Sequence, residues 1–221
     1  MWRRAVSTAI DRWLGIRTQS ATAPDVLTDE QPQPQRVRVG GDAHWYVPLA
    51  YGQARKILRS LQFAEDDVVY DVGCGLGRVV CLAARRPVRQ VIGVECDAAL
   101  AARAVSNIAR LRGQRAVAQV IVADAAMVDY LAATVLILFN PFGAATTRAM
   151  LERLRWSLQD EPTRGVRIVY VNPSAEDELE RCTWLEQTAR ERSARYRHTV
   201  SYWVTVDPEV GQPNACPGVR E

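Results

Sequence analysis

Short apolar runs alternate with helix-length amphipathic segments from Asp67 to Val206, and this alternation leaves few folds open. Strands are expected at 67–72 (DVVYDV), 90–94 (QVIGV), 118–122 (AQVIV), 134–139 (TVLILF) and 166–171 (VRIVYV), with helices near 77–85, 97–112, 145–158 and 174–181. Strands that are apolar on both faces and separated by helices form a parallel sheet covered on each side. Two further strand candidates, near 182–189 and 198–206, follow one another closely enough for an antiparallel hairpin. The expected architecture is therefore α/β: a seven-stranded, mostly parallel sheet with helices on both faces and an antiparallel C-terminal hairpin.

The rest of the chain frames this unit. With 221 residues, 48% of them hydrophobic, there is material for one globular domain with a sizeable core. Trp2, Val6, Ile10, Trp13 and Leu14 recur at near-helical spacing, so residues 1–17 are assigned to an N-terminal amphipathic helix. Its apolar face calls for a partner, either the domain itself or a membrane or protein surface. Residues 18–41, which include a Pro-Gln repeat, are expected to form a flexible linker; 42–206 are expected to be the globular domain and 207–221 a tail. A helix is expected to start at Pro48, with proline in its first turn.

Charge and cysteine usage exclude several classes. The formal charge is only +3, from 28 basic and 25 acidic residues spread along the chain, with Lys56 the single lysine. No basic or aromatic strip points to nucleic acid. Cys74, Cys81, Cys96, Cys182 and Cys216 form no C-x-x-C pair and are odd in number, which argues against a zinc site or a disulfide framework; no metal is expected. No signal peptide or membrane span is evident, so a cytoplasmic location is expected.

VVYDVGCGLGRVV (68–80) carries the most chemical information: an apolar strand ends at Asp71, then Gly73, Gly75 and Gly77 lead into a helix. A glycine turn there lets a ligand approach the backbone at the carboxyl edge of a parallel sheet. The dinucleotide pattern G-x-G-x-x-G needs glycine at 78, where this chain has Arg78. The segment instead resembles the first motif, E/D-x-G-x-G-x-G, of the class I S-adenosylmethionine-dependent methyltransferases, whose fold is Rossmann-like.

The resemblance implies S-adenosyl-L-methionine as cofactor and assigns roles position by position. Asp71, Gly73, Cys74, Gly75 and Gly77 form the cofactor loop. Glu95, ending the second strand in VIGVECD, corresponds to the acid that accepts from the ribose hydroxyls. Asp124 and Ala125, in IVADAA, correspond to the positions beside the adenine. Asn140, Pro141 and Phe142 resemble the N/D/S-P-P-Y/F motif of amino-nitrogen methyltransferases, in which the first side chain and the proline carbonyl accept from the target amine. The second proline is absent, Phe142 standing in its place and Gly143 where the aromatic would be. Taken singly, each acid has a plainer reading: Asp71 and Glu95 as helix caps, Asp124 as a turn residue. All lie just beyond successive strands, so a parallel sheet brings them to one edge.

HWYVPLAY (44–51) precedes the domain's first strand, and the resemblance places Tyr46 over the methionine end of the cofactor, as part of a lid. His44 could serve as an acid or base, but a surface or core role is expected for both His44 and His198, and Cys74 is expected as a small packing residue within the loop. Asn172-Pro173 is expected to begin a helix and could border the acceptor pocket. The branch resembled most is that of the seven-strand protein-lysine methyltransferases. The expected reaction is methyl transfer to an amino nitrogen, of a protein side chain or another amine. Small-molecule or nucleic-acid methylation, an NAD(P)-dependent oxidoreductase and a non-catalytic cofactor-binding module are the alternatives.

Overall fold

The computed structural model describes residues 2–19, 41–159 and 164–206. The elements in chain order are α1 (Trp2–Leu14), α2 (Tyr51–Ser60), β1 (Val68–Val72), α3 (Arg78–Ala83), β2 (Gln90–Glu95), α4 (Ala98–Arg110) and β3 (Val117–Val122). They continue with β4 (Val135–Phe139), α5 (Ala144–Ser157), β5 (Arg167–Val171), α6 (Glu176–Glu180), β6 (Leu185–Arg192) and β7 (Thr199–Thr205). The seven strands form one sheet in the order β3-β2-β1-β4-β5-β7-β6. β1 to β5 run parallel, and β7 is antiparallel to both β5 and β6. This is the Rossmann-like mixed sheet expected from the alternation.

β1 is buried at every position, because it lies centrally with helices on both faces. One layer of core packs Leu14, Ile16, Ile57, Leu58, Val80 and Cys81 against the sheet; the other packs Tyr130, Met150, Leu154 and Trp203. β3 is an edge strand and leaves Val117 and Val122 exposed. The strand order reverses between β1 and β4, so their carboxyl ends open a crevice.

Local chemistry sets the helix ends. Asp97 caps α4 by accepting from Ala99 N (2.9 Å) and Leu100 N (3.1 Å). α5 has no cap from its own N-cap residue, Gly143. Asp42, from the segment before the domain's first strand, supplies it: its carboxylate accepts from Thr146 N at 3.2 Å and its carbonyl from Gly143 N at 3.1 Å. α1 ends in a Schellman turn, with Gly15 at φ 81° and Ile16 N donating to the Asp11 carbonyl at 2.9 Å.

Three details differ from the sequence expectation. Trp13 is 59% exposed, its ring under the Arg85 guanidinium, while Leu14 and Ile16 are fully or almost fully buried. The turn at Gly15 rotates Leu14 and Ile16 onto the domain and leaves Trp13 outside. α2 begins at Tyr51 rather than Pro48, because the preceding backbone is extended and the Leu49 carbonyl accepts from Arg78 Nη1 at 2.9 Å. α6 begins at Glu176, so Pro173 is not in its first turn: Asn172 holds φ 52° and Ser174 is drawn to Asn140.

α1 docks on the domain itself through those buried residues and through a polar strap. Asp11, 4% exposed, accepts from Thr18 N and Thr18 Oγ1, both at 2.7 Å, and from the Tyr51 hydroxyl. Arg78, 3% exposed, donates to Thr18 Oγ1 (2.7 Å) and lies 4.4 Å from the Tyr51 ring centroid. Of the stretch assigned to a linker, residues 20–40 fall outside the described residues, as does the 207–221 tail. Among the described residues no helix is long and apolar enough to cross a membrane.

Candidate active site

The crevice holds a cleft of about 800 Å3, counted to its open mouth, lined by His44, Tyr46, Gly73, Glu95, Cys96, Leu100, Asp124, Ala125, Asn140, Pro141, Phe142, Thr146 and Asn172 among others. The sheet thus brings Tyr46, Gly73, Glu95, Asp124, Ala125, Asn140, Pro141 and Phe142 to one cavity. The remaining loop residues serve it from behind. Cys74 is buried with its sulfur against Gly93, where an added Cβ would lie 2.7 Å from it. Burial raises the Cys74 thiol well above its ordinary range, consistent with packing. Gly77 adopts φ 75° at the head of α3, a conformation strained for any side chain, and packs on Ala104, where an added Cβ would sit 3.0 Å from the Ala104 Cβ.

Glu95 ends β2 with both carboxylate oxygens anchored. Oε2 accepts from Gly75 N at 2.8 Å and Oε1 from Asp97 N at 2.9 Å. It therefore holds the glycine loop and does not cap α4, which is Asp97's task. Oε2 keeps a lone pair for a further donor, and Oε1 also holds the weak Cys96 thiol donor at 3.7 Å, which a hydroxyl would displace. Asp124 Oδ1 accepts from Ala126 N at 2.9 Å, capping the short 3-10 turn Ala125–Met127.

Asp71 lies just behind the cleft, 4% exposed, and among the described residues its Oδ2 has no hydrogen-bond partner. Burial, reinforced by the charge on Glu95 and partly offset by a backbone hydrogen bond at Val80, pushes its carboxyl up to about 7. An unfolded aspartate titrates near pH 3.9, so over that interval the folded protein binds more protons than the unfolded chain. Stability of the free protein is thus expected to fall as pH rises from about 4 to about 7, and to level above it. Urea unfolding across that range is the check: Asp71→Asn should flatten the slope, and an unchanged slope would contradict the assignment.

Tyr46 covers the loop. A Cβ on Gly75 would run into its ring, and its hydroxyl donates to the Thr18 carbonyl at 2.8 Å. Burial raises its phenol well above the usual range, so it stays neutral. The strap on Asp11 thereby reaches the cleft. Sequence reading did not find this network; its signals were an acid in the apolar stripe of α1 and an arginine where the dinucleotide pattern has glycine.

At the mouth, Asn140 has φ 40° and is 7% exposed, with Oδ1 accepting from the Ser174 hydroxyl at 2.5 Å. The Pro141 carbonyl accepts from His44 N at 2.8 Å, and Ala43 forms an isolated bridge with Phe142. Phe142 belongs to the core and lines the cleft as well. Asn172, beyond β5, faces the same cavity. His198 is buried, edge-on to Phe139.

No protein-family model matches the chain. Over 125 residues it is 31% identical to a protein-lysine N-methyltransferase of Saccharolobus islandicus (strain REY15A), a match spanning 56% of this chain and 73% of that protein. The fold is similar to that of an RNA methyltransferase from Salinibacter ruber in complex with S-adenosyl-L-homocysteine (TM-score 0.58, 22% identity, 78% of this chain and 100% of that one). It is also similar to a mutant of MtNAS in complex with S-adenosylmethionine (TM-score 0.54, 17% identity, 70% and 62% covered).

The residues present fit such a cofactor. Among the described residues the lining contains two carboxylates and no lysine or arginine, which suits a cationic, hydroxyl-bearing ligand and not a diphosphate. A cation in the cleft would favour the ionised form of Asp71, whose Oδ2 stands partnerless behind the glycine loop among the described residues. Arg78 offers no counter-charge to a nucleotide, since it is buried in the strap. The chain belongs to the class I S-adenosylmethionine-dependent methyltransferases and is an enzyme of that class.

Proposed function

We propose that this methyltransferase acts on an amino nitrogen of a protein side chain, with lysine as the acceptor. The observation that carries the reading is Asn140-Pro141-Phe142 at the mouth of a cleft that also contains Glu95 and Asp124 and, among the described residues, no lysine or arginine. The 31% identical relative, named a protein-lysine N-methyltransferase, supports the same acceptor. Glu95 accepts from the ribose hydroxyls, Asp124 from the adenine amino group with Ala125 beside the ring, and Tyr46 covers the methionine end. Gly73 and Gly75 bring the loop backbone close to the cofactor, held by Glu95 through Gly75 N.

The cofactor supplies an activated methyl group, so the protein's part is to align the acceptor nitrogen and keep water out. The Phe142 ring lines the path of a cationic amine, a group attracted to aromatic faces. Incubation of the purified protein with methyl-labelled cofactor and cell extract tests the reading. Label should be protease-sensitive and recovered as methyl-lysine after hydrolysis. Nuclease-sensitive or small, freely soluble label would overturn it.

A further inference from the structure

We infer that His44 is the proton acceptor for the amine, a catalytic base beside the Asn-Pro motif, whose oxygens orient a donor but do not take its proton. The inference rests on the amine reading above. In this chain the Pro141 carbonyl already accepts from His44 N, and Asn140 Oδ1 from Ser174. Each oxygen keeps one lone pair and can orient an ammonium, but neither is basic enough to take its proton, and His44 lines the same cleft as Asn140, Phe142 and Gly73.

The ring is fixed in the form a base requires. His44 Nδ1 lies 2.9 Å from the Asn140 backbone carbonyl. A carbonyl only accepts, so Nδ1 carries the hydrogen and the neutral ring presents Nε2 with a free lone pair. The backbone beneath it is pinned to the motif loop by His44 N on the Pro141 carbonyl, by the Ala43–Phe142 bridge and by Asp42 on Gly143 and Thr146. The base therefore moves with the acceptor motif as one unit.

The titratable groups lining the cleft with His44 leave it little competition. Glu95 and Asp124 are tied to backbone N–H groups, and Asp42, two residues away, is held on Thr146. Burial pushes Cys96 up to about 11 and raises Tyr46, so both stay protonated. The β5 side contributes the uncharged Asn172, and the lining holds no lysine or arginine.

In the step itself one N–H bond of the alkylammonium breaks, its electron pair stays on nitrogen, and the proton passes to His44 Nε2. The imidazolium later returns that proton to solvent. The nitrogen is left with the lone pair that methyl transfer requires.

Two measurements test it. Nitrogen-15 NMR of histidine-labelled protein without cofactor or substrate should show His44 protonated on Nδ1 and unprotonated on Nε2 when neutral; the opposite tautomer overturns the inference. His44→Gln keeps an acceptor but no base, so with methyl-labelled cofactor and the protein fraction of cell extract its turnover should fall by roughly 10²- to 10⁴-fold. Cofactor affinity should stay unchanged, which also reports folding. The acid limb of the rate profile should vanish, and added imidazole should restore part of the rate. Turnover within threefold of the parent with the same profile, while label is recovered as methyl-lysine, overturns the role of His44 alone. Label on oxygen, sulfur or nucleic acid overturns the amine reading, and His44's role with it.

Discussion

Replacing Asp71 and Glu95 together by alanine is expected to leave a folded protein that no longer binds S-adenosylmethionine measurably. Glu95 is 7% exposed and orders the site twice over, holding Gly75 N at 2.8 Å and Asp97 N at 2.9 Å. In its proposed role it also takes two ribose hydroxyls. Hydrogen bonds to a charged group contribute roughly 1.5–3 kcal/mol each, so losing two costs about 10²- to 10⁴-fold in affinity. Asp71 adds the partnerless buried Oδ2, and because its carboxyl is pushed up to about 7, a cation in the cleft favours its ionised form and is favoured by it in turn. Removing that carboxylate relieves a buried charge in the free protein, so the fold should tolerate its loss. Calorimetric titration decides: near-normal affinity in the folded double variant would refute both roles.

The second large effect is expected from the strap. Asp11→Ala leaves Arg78 buried without its anion and deprives Thr18 of both bonds to that carboxylate. Breaking a buried pair from one side costs roughly 3–5 kcal/mol, which for a chain of this size is a fall in Tm of about 10 °C. Tyr46 hangs from the Thr18 carbonyl, so cofactor affinity should fall along with stability, by about tenfold, the worth of one hydrogen bond of roughly 1.4 kcal/mol. Adding Arg78→Met removes the stranded charge, and the double variant should recover much of the lost Tm. Thermal melts and cofactor titrations of the two variants are the test; an unaltered Tm in Asp11→Ala would show that the strap bears no load.

Much of the scaffold was legible because burial has a period. β1, β4 and β5 read as apolar runs since both faces of a central strand are covered, and the reversal of strand order put the expected acids at one edge. Boundaries slipped where a distant partner competes with the local signal. Pro48 suits a first helical turn, yet the Leu49 carbonyl is claimed by Arg78; Pro173 suits another, yet Ser174 is claimed by Asn140.

The same division applies to the site. Sequence alone determined the fold class, the glycine loop and the run of acids at strand ends, because these follow from nearest neighbours and from strand–loop–helix order. Only the tertiary structure decided which of them face the cleft: Glu95 and Asp124 do, while Asp71 stands behind it and Cys74 packs on Gly93. It alone joined His44 to Asn140, 96 positions apart, and Arg78 to Thr18, 60 apart. Such pairings leave no periodic trace, since they are selected by which loops the sheet brings together at its carboxyl edge and by the need of each buried polar atom for a partner.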